Sequence, residues 1–322
     1  MEAQGGEPAT TEVIIRPLTE DDLTEADRIM RLAFGTFLGM PDPMRFFEGA
    51  DYVHTRWAAD PSAAFGAELD GRLVGSNFAG NWGSVGFFGP LTVDPEYQDR
   101  GIGKLLIEPV MQCFDRWGTK HAGLFTWAQS PKHIGLYQSF GFWARYLTAI
   151  TERAVSPATG SPPPTVSSKS ESERAARIED CRELAGAIYP GLDLSAEIRA
   201  VETQGLGDTV LVDGNSDLAG FAICHCGPRT EAGPDTCFVK FGAVRPGPQA
   251  DERFERLLDA CDAFAADRGL SRVVAGTNMS RSDAYRRLIT RGFRTWLQGV
   301  TMHKPNEPCY SREDAHVVDD WR

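Results

Sequence analysis

Blocks with hydrophobic residues at a period of two alternate along the chain with blocks at a period near 3.6, the mark of strands interleaved with helices. Val13-Ile-Ile-Arg16 reads as a first strand. Thr19, with Asp22 three residues on, reads as the cap of a helix that lays Leu23, Ala26, Ile29, Met30, Ala33 and Phe34 along one face. Gly35 to Pro43 reads as loop, and Met44 to Ala59 as a second, aromatic-rich helical region. Two strands, 64–69 and 73–79, meet at Asp70-Gly71, a strong hairpin signal. Val85 to Val93 is apolar enough for a buried strand and stops at Asp94-Pro95. A turn ending in Gly101-Ile-Gly-Lys104 leads into a helix that runs to about Trp117, with Gly118 as its stop. Pro109 inside that helix predicts a kink near Leu105 to Pro109. Gly123 to Ala128 is a further strand, and Ser130-Pro131 starts a helix that ends before Gly141-Phe142.

From Ala154 to Ser172 the composition turns to serine and proline, as in a semi-extended linker. Beyond it the pattern repeats. Val93, Pro95, Gln98, Leu106 and Gly118 recur as Val244, Pro246, Gln249, Leu257 and Gly269, all at one offset (244 − 93 = 151). Thr126, Gly141 and Phe142 recur as Thr277, Gly292 and Phe293. The chain therefore divides into residues 13–153, a linker at 154–172, a second copy at 173–305 and a tail at 306–322. The residues before Glu12 are small and polar, as in a disordered end.

A strand, a glycine-rich turn and a helix start make an anion cradle, because the first amides of a helix lack internal partners and sit at the positive end of its dipole. Glycine there costs roughly 0.8–1 kcal/mol against alanine, so Gly101 and Gly103 suggest a ligand close to the backbone. The segment Val93-Asp-Pro-x-x-Gln98-x-x-Gly101-Ile-Gly103-Lys104 resembles the pyrophosphate-binding segment of the GNAT superfamily of N-acetyltransferases. The later Leu136-Tyr137-x-x-x-Gly141-Phe142 is similar to that family's second marker.

The resemblance implies an α/β (α+β) chain of tandem GNAT folds, each a twisted mixed sheet flanked by helices with a V-shaped splay between its strands 4 and 5. It implies acetyl-CoA as cofactor, with Leu91, Thr92 and Val93 bonding the pantetheine arm through their backbone, and the strand-four amide after Leu91 or Thr92 as the oxyanion donor. Gln98, Asp99, Arg100, Gly101, Ile102, Gly103 and Lys104 would wrap the pyrophosphate. Ser130, also an ordinary helix cap, would lie near the pantetheine, and Tyr137 would be the proton donor to the departing thiolate. His133, one turn before Tyr137, faces either ligand or solvent. No acid lies between Val85 and Val93 to serve as the base, which leaves Glu68, His54, Asp42 or a chain of waters. Phe34, Phe37, Phe46, Phe47 and Trp82 would line the acceptor site. In the second copy Gly101, Gly103, Lys104 and Tyr137 become Glu252, Phe254, Glu255 and Leu288. Carboxylates and a bulky ring there oppose a diphosphate, so the second copy is expected to be degenerate.

With 322 residues and 42% hydrophobic composition the chain suffices for two cores. A formal net charge of −12 argues against nucleic acid as partner and favours amines, and no run has the length of a membrane span. Seven scattered cysteines suit a reducing cytoplasm. Cys224-His225-Cys226 in a strand puts both sulfurs on one face and the imidazole on the other, so no metal is expected. The expected activity is transfer of an acetyl group to a primary amine of a small molecule or peptide, with a homodimer left open. The alternatives are an acyl-CoA-binding sensor or an interaction scaffold on the same fold.

Overall fold

A computed structural model describes residues 12–156, 161–215 and 217–322; residues 1–11, expected above to be disordered, and residues 157–160 of the linker lie outside the described residues. The first half runs β1 (Ile14–Pro17), α1 (Leu23–Phe37), α2 (Val53–Ala59), β2 (Ala64–Leu69), β3 (Arg72–Trp82), β4 (Val85–Phe88), β5 (Thr92–Val93), α3 (Ile102–Trp117), β6 (His121–Thr126), α4 (Pro131–Gln138) and β7 (Trp143–Ala154). The second runs α5 (Glu171–Ile188), α6 (Ser195–Gln204), β8 (Gly207–Asp213), β9 (Leu218–Gly227), β10 (Gly233–Val244), α7 (Ala250–Asp267), β11 (Arg272–Asn278), α8 (Ser282–Thr290), β12 (Arg294–Lys304) and β13 (Val317–Val318). The offset of 151 residues carries β6 at His121 onto β11 at Arg272 and β7 at Trp143 onto β12 at Arg294.

Two local expectations need correction. The region from Met44 to Ala59 is α-helical only over α2, after a single 3-10 turn at Pro43–Arg45, because Phe47 and Gly49 take positive φ and turn the chain back before it. The stretch Val85 to Val93 is two strands, interrupted at Gly89-Pro90. Helix α3 continues through Pro109. Where the ring crowds the preceding turn, the Leu106 carbonyl accepts from Asn77 Nδ2 at 3.1 Å.

The sheet order is β1-β2-β3-β4-β6-β12-β7-β11-β10-β9-β8. The last strand of each half is thus exchanged: β12 pairs with β6, and β7 pairs with β11. The two exchanged strands also pair with each other, antiparallel, at the centre. A cut at residue 153 or 173 therefore separates the sequence but not the structure. The segment 306–322 is no loose tail either. Tyr310, Val317, Val318 and Trp321 are buried, and β13 pairs with β10.

Charged groups bind the halves where apolar packing stops. Arg56 of α2 reaches Glu231 at 2.9 Å, and Lys240 reaches both Glu231 and Glu197 at 2.9 Å. Arg56 also donates to the Gly89 carbonyl at 2.5 Å and to the main-chain oxygen of Arg322. Burial opposes every one of these charges, and only their neighbours keep them ionised: Glu231 is held far below the usual carboxylate range by Arg56 and Lys240. Replacing Glu231 by alanine leaves two buried cations short of a partner and is expected to destabilise the chain by about 3–5 kcal/mol in denaturant unfolding.

Three imidazoles are buried across the same junction. Nε2 of His121 lies 2.9 Å from Nδ1 of His303, and His225 sits beside Lys240. Burial, with nearby cations, lowers His121 and His225 to about 4, and burial with His121 lowers His303 to about 3. An unfolded chain binds protons on these rings near ~6.5, well before the folded one does. Stability is therefore full above that pH and is expected to fall as the pH drops towards about 4, by about 2 kcal/mol per ring at pH 5. Thermal midpoints between pH 7.5 and 5 check this; a flat profile would show the rings accessible to protons.

Candidate active site

The strand break at Gly89-Pro90 is what opens the site. β4 runs parallel to β6 over Val85 to Phe87, after which the chain leaves β6, and β5 joins β3 through Gly75↔Val93 and Ser76↔Thr92. A cavity of about 660 Å³ fills the resulting V. Leu91, Thr92 and Val93 form one wall, and Gln98, Asp99, Gly101, Ile102, Gly103 and Lys104 close one end.

Gly101 takes φ +81° at the N-cap of α3, which a side chain would strain. Gly103 is different. A Cβ there would meet nothing nearer than Leu136 Cδ2 at 3.4 Å, so the protein itself does not require glycine at this position. The cradle is open at both glycines, as an anion against the α3 amides requires. Gln98 donates to the Val93 carbonyl at 3.1 Å, and Lys132 pairs with Asp99 at 2.7 Å.

Tyr137 of α4 lines the cavity, its ring 5.7 Å from that of Phe88. Burial pushes its phenol well above the usual range, so it keeps its proton throughout the neutral range. His133 also lines the cavity, its ring 4.9 Å from that of Phe37 and tilted 36° to it, its pKa lowered by burial.

Several expected site residues lie elsewhere. Arg100 turns back over the Tyr97 ring, 5.2 Å away, and Ser130 caps α4 by accepting from His133 N at 3.3 Å; neither lines the cavity. Trp82 packs instead in the core of the second half, donating to Glu197 at 3.2 Å. Of the candidate bases, Glu68 is tied to Arg16, His54 to Asp51, and Asp42 caps Met44. None reaches the cavity. Phe34, Phe37, Phe46 and Phe47 do, joined by Tyr52, Phe125 and Trp127, and the second half adds Leu297, Trp321 and Arg322. Nothing in the spacing of the first half pointed to a wall built by residues nearly two hundred positions away.

The equivalent V of the second half is filled. β10 pairs with β11 over Thr236 to Val239, and beyond this Gly242 and Ala243 pair with β13. Arg281, at the position equivalent to Ser130, donates to the Val317 carbonyl at 3.2 Å. Glu255 is bound by Arg287 and Arg291 at 2.8 Å each, Phe254 is fully buried, and His316 reaches Asp251 at 2.8 Å. Side chains of the chain itself thereby engage the start of α7, where Asp251 and Glu252 stay exposed. Among the described residues no group of three or more His, Cys, Asp or Glu side chains converges as metal ligands would, and no helix is long and apolar enough to cross a membrane.

Comparison with known proteins agrees with this geometry. Residues 28–142 match the model of the Acetyltransferase (GNAT) family, and this segment is a GNAT domain. Among solved structures, a Pyrococcus horikoshii protein provisionally assigned as an acetyltransferase is 14% identical, with a TM-score of 0.68 over 100% of this chain and 98% of its own. A GCN5-related N-acetyltransferase from Sphaerobacter thermophilus is 16% identical, with a TM-score of 0.56 over 91% and 95% of the two chains. One from Anabaena variabilis is 13% identical, with a TM-score of 0.52 over 94% and 75%. At these identities the likeness is one of fold. No curated protein matches the sequence. The chain is an acyltransferase with a GNAT domain, and its cofactor is acetyl-CoA.

Gly103 offers a test with opposite signs. Gly103→Ala is expected to stabilise the free chain by up to ~1 kcal/mol, since alanine is the better helix former. It is expected to weaken coenzyme A binding about tenfold or more, read by calorimetry, because the methyl group enters the cradle. A variant that is stabilised yet binds coenzyme A as before would show that the diphosphate lies elsewhere.

Proposed function

We propose that this chain transfers the acetyl group of acetyl-CoA directly to a primary amine of a small molecule or peptide, with the cofactor held by the first half. The observation that carries this reading is the pair of unequal V-shaped gaps. In the second half an extended segment of the chain pairs with the edge that β10 presents. In the first half the equivalent residues, Leu91 to Val93, face the cavity, which suits an extended pantetheine arm bonded in the manner of an added strand. The main-chain amides of Gln98, Asp99 and Gly101 to Lys104 would hold the diphosphate, with Lys104 supplying positive charge. Arg100 and Ser130 have a smaller part in this than the motif implied, Arg100 through long-range charge and Ser130 through the start of α4.

Acetyl-CoA supplies an activated acyl group. The chain supplies position, exclusion of water and a proton. Tyr137 holds its proton on the phenolic oxygen, and hydrogen bonding from that oxygen to the departing sulfur favours its release. The incoming amine has to be neutral to attack, and with Glu68, His54 and Asp42 outside the cavity its proton leaves through water or the His133 imidazole. The seven free cysteines support a reducing cytoplasm as the setting. A binding-only sensor remains the second reading, in which Tyr137 merely packs.

Tyr137→Phe separates the two. It is expected to lower kcat by about 10²–10⁴-fold while leaving the dissociation constant for coenzyme A within about twofold, measured by thiol release and calorimetry. An unchanged kcat would remove Tyr137 from the chemistry.

A further inference from the structure

We infer that the acceptor is a monoamine carried on an aromatic, flat apolar body, and that polyamines and aminoglycosides are excluded by charge. This rests on the transferase reading and names the substrate class for it. Beyond Tyr137 the cavity continues into an arc of rings. Phe37 lies 5.8 Å from Trp127, Trp127 is 6.4 Å from Phe34, Phe34 is 5.3 Å from Phe46, and Phe46 stacks on Phe47 at 4.2 Å. Phe47 in turn stacks on Tyr52 at 5.5 Å. The arc starts from α1, crosses the loop after β6 and ends beside α2, so three separate segments bring rings to one space.

Charge decides between amines. Lys104 and Lys132 line the cavity against one carboxylate, Asp99, which Lys132 already engages at the diphosphate end, and Arg322, which also lines it, is paired with Asp320 at 3.4 Å and lies 4.1 Å over the Phe238 ring. Ring faces hold one ammonium through cation–π attraction until it loses its proton. A second or third ammonium on the same acceptor would be desolvated among rings and cations with no carboxylate side chain to meet it. A flat apolar body instead gains offset and edge contacts with the walls. The net charge of −12 is therefore no guide to the acceptor, because the acidic side chains that produce it, Asp99 apart, lie outside this cavity.

The test is thiol release from acetyl-CoA by the full chain, with phenethylamine and tryptamine set against spermidine and kanamycin. The aromatic amines are expected to have kcat/KM values higher by on the order of a hundredfold. Phe37→Glu adds a carboxylate at a position 38% exposed to solvent, where folding tolerates it, and is expected to narrow that ratio at least about tenfold in favour of spermidine. Equal or better turnover of the polycations by the unaltered chain would overturn the substrate class while leaving acyl transfer intact. Faster release from octanoyl-CoA than from acetyl-CoA would also overturn it, by assigning the rings to the donor's chain. Release from no amine at all would overturn the transfer reading itself, and this inference with it.

Discussion

Two parallel strands that diverge must leave main-chain amides and carbonyls without partners, and buried groups of that kind cost free energy until something pairs with them. This constraint governs both halves of the molecule. In the second half the chain meets it internally, with Val317 and Val318 pairing to β10 and Arg281 holding the same segment. In the first half the chain breaks more sharply, at Gly89-Pro90, and the edge at Leu91 to Val93 is turned to a cavity. The same repeated unit thus yields one closed groove and one open one. The difference rests on a few side chains and on the eighteen residues that follow β12 (322 − 304 = 18).

The open groove is braced from the other half. Arg56 links the Gly89 carbonyl, at the break itself, to Glu231 on the turn between β9 and β10 and to the main chain at Arg322. Exchange of β7 and β12 makes the two halves one folding unit, because neither sheet is complete without the other's last strand. The second half therefore contributes structure to the cavity: it anchors the strand break and supplies Leu297, Trp321 and Arg322 to the wall.

The elements of the proposed cofactor site were legible in the sequence because they depend on local chemistry. Gly101 at positive φ, the start of α3 and the position of Tyr137 on α4 follow from short-range spacing. So does the repeat, whose constant offset of 151 residues survives in the paired strands. What was not legible is long-range. β7 and β12 occupy equivalent places in the repeat, so either can complete either sheet, and no local pattern distinguishes the exchanged pairing from the direct one. Trp82 and Phe46 read alike as aromatic residues beside strands and helices, yet one lies in the second core and the other in the cavity wall. The segment 306–322 offers only Val317-Val318 as a strand, too short a signal to reveal that it fills a groove.

The decisive measurement is a crystal structure of the full chain with coenzyme A. The account predicts diphosphate against the amides of Gly101 to Lys104, the pantetheine arm paired with the backbone of Leu91 to Val93, sulfur within reach of the Tyr137 hydroxyl, and β13 undisturbed on β10. Coenzyme A lodged at the start of α7 with β13 displaced, or an empty groove beside β5 at saturating ligand, would contradict it.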